Sequence, residues 1–308
     1  MFNTALTLIC NPAKPLLTGA LLNEVMSWLS GYAATGPERF TLAEGVAADF
    51  QFDTDADPHP IQAAALTAFA TRDIDVAVQR TANRRKKLLI ADMDSTIIQQ
   101  ECIDELAEFA GKRAEISAIT ERAMRGELDF EAALKERVVM LKGLPESVLA
   151  ETFEKRITLT PGAQTLVKTM NARGAVTALV SGGFTYFTSR VAEKTGFQFN
   201  QANELYVEGG KLTGKVREPI LGRAAKQQAL ERIARENNID LADTMAVGDG
   251  ANDLSMLARS GLGVAFHAKP AVAQAAAVQI NHSDLTALLY LQGIAKAEFV
   301  SEAIGNRQ

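Results

Sequence analysis

Three apolar runs in this chain each stop on residues that carry or bind charge. Leu88-Leu89-Ile90-Ala91 ends at Asp92, Val176 to Val180 ends at Ser181-Gly182-Gly183, and Met245-Ala246-Val247-Gly248 ends at Asp249. A helical pattern follows each run. A strand that is apolar on both faces needs cover on both, so this alternation predicts an α/β core with a doubly wound parallel sheet between helical layers. Such sheets hold ligands beyond the carboxyl ends of their strands. The strand ends therefore mark one candidate site.

The rest of the chain sorts around that core. In residues 1–80, Leu6 to Cys10, Phe40 to Leu42, Val46 to Phe52 and Ile74 to Val78 read as strands, and Leu16 to Trp28 and Pro60 to Phe69 as helices. The resulting βαββαβ order is the split βαβ arrangement of a small α+β domain. The remainder, 85–308, carries the α/β pattern, with an insertion at about 99–157 that is helical almost throughout. Ile103, Leu106 and Phe109 recur at helical spacing there, as do Phe130, Leu134, Val138 and Leu141, with Gly111, Gly126 and Gly143 as breaks. Placed just after the first core strand, this insertion is expected to cap the strand ends as a lid. Pro161 is expected in the first turn of the next helix. Glu204 to Glu208 and Lys211 to Val216 flank Gly209-Gly210 as a hairpin.

Composition excludes several classes. With 308 residues, 47% of them hydrophobic, and a net charge of −5, the chain is neither disordered nor a nucleic-acid binder with a basic face. The basic run Arg84-Arg85-Lys86-Lys87 reads as the solvated end of a linker. Cys10 and Cys102, far apart, give no disulfide framework and suit a reducing compartment. The first residues lack a basic start, and nowhere do about 18 apolar residues run together. No membrane partner is expected, and the expected address is the cytoplasm. His267 and His282 are too scattered for a zinc set. Asp53, Asp55 and Asp57 lack the glycine of a calcium loop and read as a solvated turn.

Chemistry concentrates at the strand ends. Asp92-Met93-Asp94-Ser95-Thr96 brings two carboxyl groups into one cleft; alone, it reads first as a helix cap and second as the metal-holding D-x-D of a sugar transferase. Gly248-Asp249-Gly250-Ala251-Asn252-Asp253 adds two more acids at the same sheet edge. Four acids call for a hard cation with oxygen ligands, such as Mg²⁺. Ser181, Gly182 and Gly183 offer a hydroxyl and backbone N–H groups to an anion at the start of a helix. Lys226, on the helix Arg223 to Arg235, would by itself be read as a surface charge. Acids, a cation, a lysine and a serine together make a phosphoryl-transfer site, in which an aspartate can attack phosphorus.

These residues resemble the haloacid dehalogenase-like phosphotransferases, whose motifs are D-x-D-x-[TV], a Ser or Thr at a strand end, a downstream Lys and G-D-x-x-x-D. All appear here in order. With Glu101, Arg137 and Val180-Ser181-Gly182-Gly183-Phe184, the set is similar to the phosphoserine phosphatase family over residues 85–295. Met93 stands where many members carry Phe. The resemblance implies a Rossmannoid core with a helical cap, Mg²⁺ as cofactor and O-phospho-L-serine as the small-molecule substrate. It further implies Asp92 as nucleophile, Asp94 as acid and base, and Mg²⁺ on the Asp92 carboxylate, the Asp94 main-chain oxygen and Asp249. Ser181, Gly182 and Lys226 would bind phosphate, Asn252 would contribute to substrate, and Asp253 would orient Lys226 or metal-bound water. Glu101 would take the substrate ammonium and Arg137 its carboxylate, since arginine grips carboxylate by two parallel bonds. Met124 and Phe130 would wall the lid. Residues 1–80 are similar to a ferredoxin-like, amino-acid-sensing ACT domain and onto them no ligand site is carried. Alternatives stay open: a different phosphomonoester, transfer to an alcohol instead of water, or a non-catalytic amino-acid-binding regulator. A homodimer is one option for its assembly.

Overall fold

The structure, a computed structural model, describes residues 2–300. The chain opens with β1 (Thr4–Cys10), α1 (Gly19–Leu29), β2 (Glu38–Ala43), β3 (Ala47–Phe52), α2 (Pro58–Ala68) and β4 (Ile74–Arg80). The strands form an antiparallel sheet in the order β2-β3-β1-β4. Helix α1 starts three residues later than its apolar spacing predicts. The N–H groups of Leu16 and Leu17 are taken by the Gly45 carbonyl, and Thr18 caps the helix by accepting from Leu21 N. Asp57, last of the acidic triplet, caps α2 by accepting from His59 N.

The α/β part comprises β5 (Leu88–Ala91), the insertion helices α3 (Cys102–Phe109), α4 (Arg113–Met124), α5 (Phe130–Val139) and α6 (Ser147–Arg156), then α7 (Ala163–Ala172). It continues through β6 (Val176–Phe184), α8 (Thr185–Thr195), β7 (Phe199–Asn203), the hairpin β8 (Leu205–Glu208) and β9 (Lys211–Val216), and α9 (Arg223–Glu236). The last elements are β10 (Thr244–Gly248), α10 (Leu254–Arg259), β11 (Leu262–Phe266), α11 (Pro270–Ala275), β12 (Val278–Ile280) and α12 (Ala287–Tyr290). Strands β11-β10-β5-β6-β7 lie side by side in that order, all parallel. Leu88 and Ile90 of β5, Ala178 and Val180 of β6 and Ala246 of β10 pack with Leu230 and Ile233 of α9 in one buried cluster. The apolar runs are thus covered as their lack of alternation requires.

By contact the described residues divide into two compact units, one of 2–86, 161–173 and 278–300, the other of 87–160 and 174–277. Polar bonds inside the first unit explain why it gathers distant segments. Asp75 accepts from the N–H groups of Asn281, His282 and Ser283. Leu285 N donates to the Pro161 carbonyl.

Three local expectations are corrected. Arg84 is not solvated: it is 6% exposed, paired with Asp49, and donates to Thr7 Oγ and the Leu291 carbonyl. Lys86 is buried as well. Pro161 lies before its helix rather than in it, because Gly162 takes the N-cap at φ +82°, a left-handed conformation that suits glycine. Ser181-Gly182-Gly183 does not open a helix either; β6 runs on to Phe184 with a register shift after Val180, and α8 begins only at Thr185. Among the described residues no helix is long and apolar enough to cross a membrane.

Candidate active site

Neighbouring strands β10, β5 and β6 run parallel, so their carboxyl ends meet at one sheet edge. Asp249, Asp92 and Ser181 follow from that alone. After β5 the chain turns sharply: Asp94 stays extended at φ −65°, ψ 137°, while Ser95 is left-handed at φ 54°. The turn sends the two aspartates to different tasks. Asp92 faces Asp249 and Asp253, and carboxylate oxygens of all three lie within 4.8 Å of one another. The Asp94 carboxylate instead accepts from Cys102 N at 2.9 Å and from Ser181 Oγ at 3.1 Å.

Lys226 reaches the acids from α9. Its Nζ lies 2.7 Å from Asp92 Oδ1 and 2.7 Å from Asp253 Oδ1, and it is 1% exposed. Burial alone would discharge this lysine, but the attraction of Asp253 and Asp92 overrules it and raises its pKa. Gly250 N donates to Asp253 Oδ2, and Thr96 Oγ donates to Asp249 Oδ1. One ammonium does not balance the acids. Burial, then repulsion from Asp253, pushes Asp249 up to about 7; burial and Asp253 also push Asp92 well above the usual carboxylate range, against the pull of Lys226. Close, buried oxygen ligands short of positive charge are the donor set a hard divalent cation takes. This cluster is capable of holding one.

The insertion supplies the other wall. Glu101, Ile103, Met124, Phe130, Leu134 and Arg137 line a cavity shared with Asp92, Asp94, Ser181, Gly182 and Asn252. The cavity is about 20 Å³, room for a water or two. A Cβ on Gly182 would come within 2.5 Å of the Phe130 ring, so the absence of a side chain there lets Phe130 settle on the end of β6. Arg137 is 3% exposed, yet among the described residues no carboxylate pairs with it. Its Nε donates to Ala133 O and its Nη1 to Thr120 Oγ. Glu101 likewise has no basic partner and accepts from Ser95 Oγ at 2.7 Å. Burial, then Asp94, raises its pKa strongly. Asn252 Oδ1 is buried and without a hydrogen-bond partner.

Every residue singled out from the sequence thus lines the cavity or joins the acid cluster. Three others went unassigned. Thr96, two residues past Asp94, ties Asp249 to the first motif, and the alternation of 92, 94 and 96 was its signal. Ser95 carried none, because its left-handed turn breaks that alternation. Thr120 looks like any polar helix residue, although it is 3% exposed.

Residues 89–258 match the model of the haloacid dehalogenase-like hydrolase family. The chain is 44% identical over 241 residues to a phosphoserine phosphatase of Streptomyces coelicolor, an alignment that covers 78% of this chain and 58% of that protein, so less than two thirds of the relative's length is spanned. It is 45% identical to a structure of a phospho-aspartyl intermediate analogue of phosphoserine phosphatase, with a TM-score of 0.64 over 67% of this chain and 98% of that one. A haloacid dehalogenase family hydrolase of Salmonella enterica serovar Typhi is 30% identical and superimposes at a TM-score of 0.82, covering 94% and 98%. Ordered motifs, a parallel core that gathers them and a buried acid cluster all lead to one assignment: the chain belongs to the haloacid dehalogenase-like hydrolases.

Proposed function

We propose that the protein hydrolyses O-phospho-L-serine to L-serine and phosphate through a phosphoaspartate, with Mg²⁺ as its cation. The observation that carries the substrate is the pair Arg137 and Glu101. A buried guanidinium and a carboxylate that line one cavity, each without an ionic partner, suit a ligand bearing a carboxylate and an ammonium. Asp92 in the same cavity suits that ligand's phosphate.

Asp92 attacks phosphorus, and the bond to the seryl oxygen breaks as Asp94 gives that oxygen its proton. Asp94 is fit to hold the proton, since burial raises its pKa against the hydrogen bonds from Cys102 and Ser181. It then takes a proton from the water that hydrolyses the phosphoaspartate and frees phosphate. Ser181, Gly182 and Lys226 bind the phosphoryl oxygens, Asp253 orients Lys226, and Asn252 contributes its unpaired oxygen to substrate. Met124 and Phe130 exclude water. The Asp92 carboxylate, the Asp94 main-chain oxygen and Asp249 would hold Mg²⁺, which when bound offsets charge on the transferring group.

For residues 1–80 we read an ACT-like domain with a regulatory role, supported by the βαββαβ order and antiparallel sheet.

Phosphate release from phosphoserine, with and without EDTA, tests the reading in wild type, Asp92→Asn, Glu101→Ala and Arg137→Ala. EDTA and Asp92→Asn should abolish turnover; the other two should raise KM. Retained activity in Asp92→Asn refutes the nucleophile, and wild-type KM in both cap variants refutes the substrate.

A further inference from the structure

Glu101, an acid, and Arg137, a base, line one cavity and do not pair. The hydrogen bonds of Arg137 show what keeps its guanidinium off Glu101. Burial lowers the Arg137 pKa, and the nearby acids Glu101, Asp104 and Asp94 oppose that shift by attracting the guanidinium. A guanidinium that swung onto Glu101 would satisfy both groups and leave the substrate neither.

The restraint on Arg137 comes from α4 and α3. Arg137 Nη1 donates to Thr120 Oγ at 3.0 Å, and Thr120 Oγ in turn lies 2.7 Å from Asp104 Oδ1 and 3.0 Å from the Ile116 carbonyl. The hydroxyl has one proton, and the nearer acceptor is the carboxylate. Giving that proton to Asp104 turns an oxygen lone pair toward Arg137. The chain Arg137 to Thr120 to Asp104 is therefore directional, with a charge at each end to strengthen it. Asp104 offsets part of the buried positive charge through the hydroxyl, and Arg137 Nη2 makes no hydrogen bond among the described residues. A direct two-bond carboxylate partner would take Nη2 as well.

We infer that Thr120, backed by Asp104, is a positioning residue for substrate specificity: it holds Arg137 away from Glu101 so that both stay free for the ligand. The inference rests on the phosphoserine reading. Its test is kinetic, on the full chain with Mg²⁺, comparing wild type with Thr120→Val, Thr120→Ser and Asp104→Asn. Thr120→Val keeps the shape and loses the hydroxyl. It should raise KM for phosphoserine and the inhibition constant of L-serine about tenfold, as loss of a charge-assisted bond does, with kcat within about twofold and the inhibition constant of inorganic phosphate unchanged. Thr120→Ser should restore wild-type values, and Asp104→Asn should move KM in the same direction by less. A wild-type KM in Thr120→Val overturns the inference. So does a rise in the phosphate constant equal to that for serine, which would mean general loosening of the site, or failure of Thr120→Ser to rescue. Wild type inert toward phosphoserine would instead refute the parent reading, a separate outcome.

Discussion

Lys226 Nζ lies 2.7 Å from Asp92 Oδ1, with the two side chains 1% and 3% exposed. The pair sits where a lysine on a helix is least expected, since lysine is rarely buried without a partner. Removing the ammonium leaves Asp92 and Asp253 facing one another unpaired. Lys226→Met should therefore destabilise the metal-free protein by about 3–5 kcal/mol. Urea unfolding in EDTA measures it, and a loss below about 1 kcal/mol, the size of a surface pair, would show that the acids are not held by this lysine.

In the proposed metal site, cation and protons would compete for Asp249. Its pKa is raised to about 7 by burial and by Asp253, so below pH 7 a cation has to displace a proton from it. Apparent Mg²⁺ affinity should rise with pH, by at least about tenfold per unit below 7, where Asp249 has to lose its proton. Stability of the metal-free protein should move the other way. A folded-state pKa above the unfolded one means that the native state binds more protons in between, so stability falls as pH rises toward 7 and then levels. Calorimetric Mg²⁺ titrations at pH 6, 7 and 8 check the first trend, and thermal unfolding in EDTA the second. Affinity independent of pH would remove Asp249 from the ligand set.

Contact between Phe130 and Gly182 can be probed by overfilling it. Gly182→Ala places a methyl group within 2.5 Å of the ring, and overpacking of this kind costs about 1–3 kcal/mol. We expect kcat/KM for phosphoserine to drop at least tenfold in Gly182→Ala and to recover in part when Phe130→Leu is added. If the double variant is no better than the single, the obstruction lies elsewhere.

Arg84 provides a contrast between sequence and structure. A solvated arginine would tolerate Arg84→Met within about 0.5 kcal/mol. Buried against Asp49, it should instead cost about 3–5 kcal/mol. Adding Asp49→Asn should recover part of that loss. Denaturant unfolding of the two singles and the double decides between these readings, and additive losses would exclude a coupled pair.

What the residues declared in advance was the core. Strands apolar on both faces and ended by Asp92, Ser181 and Asp249 allow few topologies, and adjacency of β10, β5 and β6 then brings the acids together without further information. Side-chain partners were harder to foresee. Arg84 and Thr120 sit in segments that look solvent-facing, and only tertiary packing buries them. Ser95 escapes any periodic rule because a single left-handed residue redirects the chain. The helix start at Gly19 was displaced by a distant carbonyl, that of Gly45. Local pattern specifies elements; long-range hydrogen bonds trim their ends.

A chamber with room for a water or two is smaller than phosphoserine. While Phe130 rests on Gly182, the site is therefore shut to the substrate proposed for it. Entry of phosphoserine and departure of serine both require that ring to lift from the end of β6, so traffic through the site is set by one aromatic contact.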